Sequence, residues 1–197
     1  MTQRFILSRC KNTIKKIIHL QEVNMSHVRV TPWQDGDPVP EELLSAIQAR
    51  RPNGELIGID RVLMKSVPLA TGWNGLLGRV RSEFKLDLQY LELIMLRVAA
   101  LNKADFEWNV HYPVYLNAGG TEQKAQALKQ VTPDHALFDL AEQTLITLTD
   151  QSTQRVAVDD AVIQTLKAFF GEEKTVEAVA TVAAYNMVSR FLVALAI

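Results

Sequence analysis

Cysteine is nearly absent: Cys10 is the only one in 197 residues. A lone thiol rules out an intrachain disulfide framework and suits a reducing compartment, so a cytoplasmic location is expected. Net charge is almost absent too, at −1, which removes the electrostatic reason to expect nucleic acid or an anionic membrane as partner. No uninterrupted apolar run reads as long enough to span a bilayer. Alternation of apolar and polar residues never persists beyond a few positions, so no segment reads as a strand. There is no glycine-rich phosphate cradle, no dinucleotide fingerprint and no nucleophile elbow. His27 and His135 lie apart without paired spacing, whereas a zinc site needs three or four protein ligands, so no metal is expected.

What is present is an ordinary globular composition, 48% hydrophobic and 22% charged, enough for a sizeable core. Charge is unevenly placed. Residues 1–24 hold Arg4, Arg9, Lys11, Lys15 and Lys16 against Glu22 alone, a net of +4, leaving 16 basic and 21 acidic residues for the rest. Three readings of this basic extension stay open: a targeting or membrane-surface leader, a helix docking on a partner subunit, or a solvated extension ahead of Met25. Residues 25–197 read as one helical domain. Apolar spacing and breakers predict helices over 40–49, 61–65, 72–84, 121–130, from Pro133 to about Thr149, 161–170 and 174–197. Trp33 lies in a Pro- and acid-rich loop and is expected to be pinned against the body. The class is all-α.

The chain is organised around residues 87–120. Leu88 to Leu101 is apolar on nearly every side and carries only Glu92 and Arg97 as charges. Such a helix must lie inside a larger packing unit, with Asp87 as its expected N-cap. A buried carboxylate is costly unless paired or protonated, so Glu92 needs a partner. A second helix, Ala104 to Asn117, places Ala104, Glu107, Trp108, His111 and Tyr115 on one face, with Glu107 and His111 one turn apart. Pro113 is expected to kink it, and Gly119 and Gly120 to end it.

Several spaced positions agree with a known pattern: Glu92-Leu93, Leu96-Arg97-Val98-Ala99-Ala100, Asn102, Ala104, Glu107, Trp108 and His111, then Pro113 and Ala118-Gly119. With these the sequence resembles the carboxymuconolactone decarboxylase and alkyl hydroperoxidase D superfamily. Tyr185 to Arg190, YNMVSR, is similar to that family's closing helix, and the likeness covers roughly residues 40 to 197. The resemblance implies a multi-helix, oligomeric orthogonal bundle assembling as a homotrimer or homohexamer. Two helices apolar all round, Leu88–Leu101 and Val176–Ile197, suit such assembly. It also implies that Glu92, Glu107 and His111 face an active cavity, roofed by Trp108, and act without a cofactor on a small molecule. Tyr115, Tyr185 and Arg190 are the further candidates for substrate contact.

One departure narrows the chemistry. The peroxidase branch of the family uses two cysteines three apart, where this chain has Ala104 and Glu107. Peroxide reduction of that kind needs an attacking thiolate and a resolving thiol, which disfavours an alkyl hydroperoxidase-like antioxidant role. General acid–base work on a carboxylated or lactone-like molecule is the leading expectation, with His111 moving the proton and both glutamates orienting it. The rival from another class is a catalytically silent, ligand-binding oligomer.

Overall fold

The computed structural model describes residues 27–197, so the basic extension 1–24 lies outside the described residues. Every regular element among them is helical: α1 Glu41–Ala49, α2 Gly58–Leu63, α3 Val67–Ser82, α4 Leu88–Leu101, α5 Asp105–Asn117, α6 Glu122–Leu128, α7 Leu140–Arg155 and α8 Asp160–Leu195. The all-α expectation holds. The chain from residue 27 clusters into two compact units, one running to Ser82 with Ala194–Ile197 added, the other Glu83–Val193.

The first unit is built around a buried charge. Asp60 is fully buried in α2 and takes Arg50 Nη2 at 2.9 Å and Arg51 Nη2 at 2.8 Å. Its other oxygen accepts the Ile57 N–H at the start of the helix. Burial, then the neighbouring Arg51, lowers the Arg50 pKa to about 10. Trp33 is 5% exposed, with its indole N–H donated to the Asp37 carbonyl and the Arg61 guanidinium over its ring, so the loop is pinned as expected. The predicted helix from Gly72 starts earlier, at Val67, because Pro68 fits a first turn where no N–H is needed.

The second unit is centred on α4, which packs against α5, α6 and α7. Nine consecutive residues, Leu91 to Ala99, are buried. Each fully buried Leu or Ile contributes about 1.5–3 kcal/mol, while each buried ion costs several kcal/mol. Glu92 and Arg97 are therefore tolerable only where each is paired. Asp87 occupies the N-cap position but its carboxylate makes no capping bond; it lies 3.6 Å from Lys174 Nζ instead. α5 runs through Pro113 to Asn117, and Gly119, with φ +110°, follows its end as expected.

Further along, the cap assignments divide. Thr121 caps α6 as expected, accepting the Lys124 N–H at 3.2 Å. Ala125, Ala127 and Leu128 are buried, deeper than that short helix's composition suggested. The helix expected from Pro133 begins at Leu140: residues 135–137 form a single 3-10 turn, and Asp139 with Glu142 makes a reciprocal capping box. The two helices expected at 161–170 and 174–197 adjoin at Gly171, whose backbone (φ +77°, ψ 175°) is not helical, so α8 is two helices across a kink and the break falls where it was expected. By length and hydropathy α8 could cross a membrane, which the sequence reading had not allowed; half of its most apolar window is buried within the protein, as in a core helix.

Candidate functional site

α4 and α5 bring three ionisable side chains together. Glu92, on the second turn of α4, presents Oε2 to His111 Nδ1 at 2.7 Å. Glu107, one turn before His111 on α5, brings Oε2 to 3.0 Å from the other ring nitrogen, Nε2. All three are buried, at 4%, 4% and 5% exposure for Glu92, Glu107 and His111. The imidazole thus lies between two carboxylates in a dry setting, hydrogen-bonded to Glu92 and within ion-pair distance of Glu107. Burial alone would push its pKa down, but Tyr185 and Glu92, then the contacts with Glu107 and Glu92, outweigh that and raise it well above the ordinary value. The structure accordingly favours imidazolium between two acids. Low local dielectric strengthens such contacts.

The aromatic candidates divide. Tyr185, on α8, is 1% exposed and meets the His111 ring edge-on, with centroids 5.0 Å apart. Tyr115 is fully buried, and its hydroxyl has no hydrogen-bond partner among the described residues. Burial, then the charge of Glu142, raises its pKa. Gly120 lies so close to the Tyr115 ring that an added Cβ would fall inside it, so only glycine fits. Trp108 is 8% exposed and clamped between the Tyr112 ring, with centroids 6.0 Å apart, and the Lys129 ammonium, 4.3 Å from its centroid. Arg190 stands apart: it is exposed and, among the described residues, reaches the Thr153 carbonyl alone, at 3.5 Å.

Glu92 does not pair with Arg97, the most obvious cation on its own helix. Arg97 is 1% exposed and uses all five of its N–H donors elsewhere. Nε and Nη2 go to Asp150 at 2.6 and 2.9 Å, Nη1 to the Leu128 and Gln130 carbonyls, and Nη2 to that of Val131. Asn102 is engaged in packing the helices together. Its amide donates to Asn186 at 3.0 Å and Ser189 at 2.7 Å, tying the end of α4 to α8. Among the described residues no group of three or more His, Cys, Asp or Glu side chains is arranged to hold a metal ion.

Residues 68–138, which contain the whole Glu92–Glu107–His111 triad, match the family model described as the Carboxymuconolactone decarboxylase family. The match covers 71 of the 197 residues, and over them the chain is similar to that family. Two solved structures share the fold of the chain. One is a protein of unknown function from Agrobacterium tumefaciens, named as a proposed antioxidant defence protein AhpD, with a TM-score of 0.60 and 24% identity over 67% of this chain and 91% of the other. The second is an uncharacterized peroxidase-related protein from Silicibacter sp. TM1040, with a TM-score of 0.70 and 16% identity over 87% of this chain and 91% of the other. No curated protein matches the chain. Lys129, seated on Trp108, escaped the reading of the sequence: no local spacing links residues that far apart, and α6 must fold back beside α5 before they meet.

Proposed function

We propose that this carboxymuconolactone decarboxylase-like protein is a cofactor-independent general acid–base catalyst acting on a small carboxylated or lactone-type molecule. The observation that carries the reading is the buried imidazole lying between the Glu92 and Glu107 carboxylates. Such a chain can pass a proton from one side of the ring to the other: one nitrogen gives up its proton as the second receives one. Glu92 fixes the ring through Nδ1, and Glu107 stands between Nε2 and the outside of the triad. In a decarboxylation, the bond between the carboxylate carbon and the adjacent carbon breaks and carbon dioxide leaves. The electron pair stays on the substrate as an enolate, and a proton relayed through His111 and Glu107 closes the new carbon–hydrogen bond. Solvent returns that proton to the triad, so the sum needs no oxidant or reductant.

The names of the two structural neighbours suggest peroxide chemistry, but the thiols that chemistry uses are replaced here by Ala104 and Glu107. Ala104 is moreover 2% exposed and α5 begins directly after it, so neither position can supply a redox sulfur.

Assembly of identical chains belongs to the same proposal, with a trimer or hexamer in the cytoplasm as its expected form. Its basis shifts from the sequence expectation. Leu96 and Val188 are fully buried within one chain and are not free to hold subunits together. Val176, Val179, Ala183 and Met187 instead form an exposed stripe along α8, at the three-and-four spacing of a helix face that packs on another helix.

The test is a screen of the purified protein against lactones and small carboxylic acids, read by mass spectrometry, with His111→Gln in parallel. Release of carbon dioxide, or isomerisation, that His111→Gln abolishes supports the proposal. Turnover unaffected by that change would sink it.

A further inference from the structure

The unit Glu83–Val193 carries a recess of about 230 Å³ lined by Ala99, Ala100, Lys103, Asp105, Trp108 and Lys129. It forms where α4 ends and α5 begins. Two features make it a site of one chemical character. Its charged lining is two ammonium groups against one carboxylate, Asp105. Among the described residues the Lys103 side chain makes no hydrogen bond, ion pair or ring contact, and its backbone takes the left-handed conformation, φ +54°, at the break between the helices. Among the same residues no acid pairs with Lys129; its ammonium is held 4.3 Å from the Trp108 ring centroid. A lysine in that position keeps most of its charge available, because the ring quadrupole offsets only about 0.5–1 kcal/mol at an exposed site.

The walls are equally specific. Trp108 is backed by Tyr112 on one side, so the indole is a fixed flat surface and not a mobile flap. Ala99 and Ala100 contribute only methyl groups to the lining. The volume falls below the roughly 300–1,000 Å³ of drug-sized ligand pockets, which limits the occupant to a small molecule. Ala104, at the N-cap of α5, has no side chain to satisfy the first-turn amides, which adds modest positive potential in the same place.

We propose that this recess binds the carboxylate of a small planar acid, with Lys103 and Lys129 as its cationic contacts and Trp108 as its flat wall. Glu92, Glu107 and His111 do not line the recess, so the binding of the carboxylate stands apart from the acid–base reading above. Asp105 disfavours a second negative charge, so monocarboxylates are preferred over dicarboxylates.

Isothermal titration with benzoate, benzamide and phthalate tests the proposal on the full chain. Benzoate is expected to bind about tenfold more tightly than neutral benzamide, the scale of two exposed ion pairs acting together, and more tightly than phthalate. The double change Lys103→Ala with Lys129→Met should remove the preference, and Asp105→Asn should strengthen phthalate relative to benzoate. Equal binding of benzoate and benzamide, or an unchanged benzoate affinity in the double variant, overturns the proposal. Titration of His111→Gln separates it from the acid–base reading. Retained benzoate affinity is expected there whatever happens to turnover, and loss of affinity would move the anion to the imidazole and overturn the recess as its site.

Discussion

Helix α4 buries two charges five residues apart, and they are treated in opposite ways. Arg97 is surrounded by acceptors that match its five fixed donors one for one: both oxygens of Asp150 and three backbone carbonyls. Nothing in that cluster can move a proton, since guanidinium does not titrate in the range where proteins work. Glu92 is surrounded by groups that all exchange protons, an imidazole and beyond it a second carboxylate. The first arrangement ties the turns after α6 to α4 and α7, and is finished once it is formed. The second pairs a buried carboxylate with an imidazole, a partner that does titrate. Burial by itself therefore does not mark a functional residue; the ability of its partners to titrate does.

The sharpest way to break that contrast is at Arg97. Arg97→Ala should cost about 3 kcal/mol, because it strands Asp150 and three carbonyls, and Asp150 is only a quarter exposed. Urea unfolding measures this. A loss below about 1 kcal/mol would show that water repairs the cluster and that it is not structural.

At the triad the largest effect should be on rate. A truncation to alanine is a poor probe, since it leaves two buried carboxylates facing a void. His111→Gln keeps a polar group of similar reach and should lower turnover by about 100-fold or more, with the helical circular dichroism spectrum retained. Steady-state kinetics on a substrate from the screen decides it.

The two clusters should also differ in pH response. The imidazole of the unfolded chain titrates near pH 6.5, and His111 in the fold titrates well above that. Its contribution is therefore fully present below about pH 6.5 and is lost as pH rises through the higher folded value. Across that window the unfolded state has released a proton that the folded state keeps, so stability should fall by about 1.4 kcal/mol per pH unit. Unfolding curves collected from neutral to mildly alkaline pH should show the slope in the parent protein, and much less of it in Glu92→Gln. An identical slope in that variant would assign the pH dependence to another group.

The smallest expected effect is at Arg190. Its guanidinium is exposed and touches one carbonyl, so Arg190→Ala should change stability by under about 0.5 kcal/mol. A rise in KM of tenfold or more would restore the substrate contact that its sequence position suggested and its surroundings do not.

How much of this could be read beforehand follows from the distance over which each signal acts. Glu107 and His111 are an i,i+4 pair, so their meeting needs only helix geometry. The limits of α4 follow from apolar content alone. The Asp139–Glu142 capping box was equally local, yet Pro133 and Asp134 gave a start signal of the same kind a few residues earlier and were preferred. The break at Gly171 was visible as a helix end, and the glycine takes a non-helical backbone there, with φ +77°, a conformation glycine adopts without steric cost.

The sequence by itself determined that this chain is all helical, that one helix must be buried, and that redox chemistry at Ala104 and Glu107 is closed to it. Those conclusions depend on residue type and on spacings within a turn or two. Tertiary structure decided that Glu92 meets His111 while Arg97 goes to Asp150, and that Lys129 sits on Trp108. Glu92 and Arg97 are five residues apart on one helix, a spacing that does not let them face each other, and they project into different surroundings. Which pairing forms depends on where α5 and α7 dock on α4, and docking is set by the fit of many side chains at once, which no local pattern records.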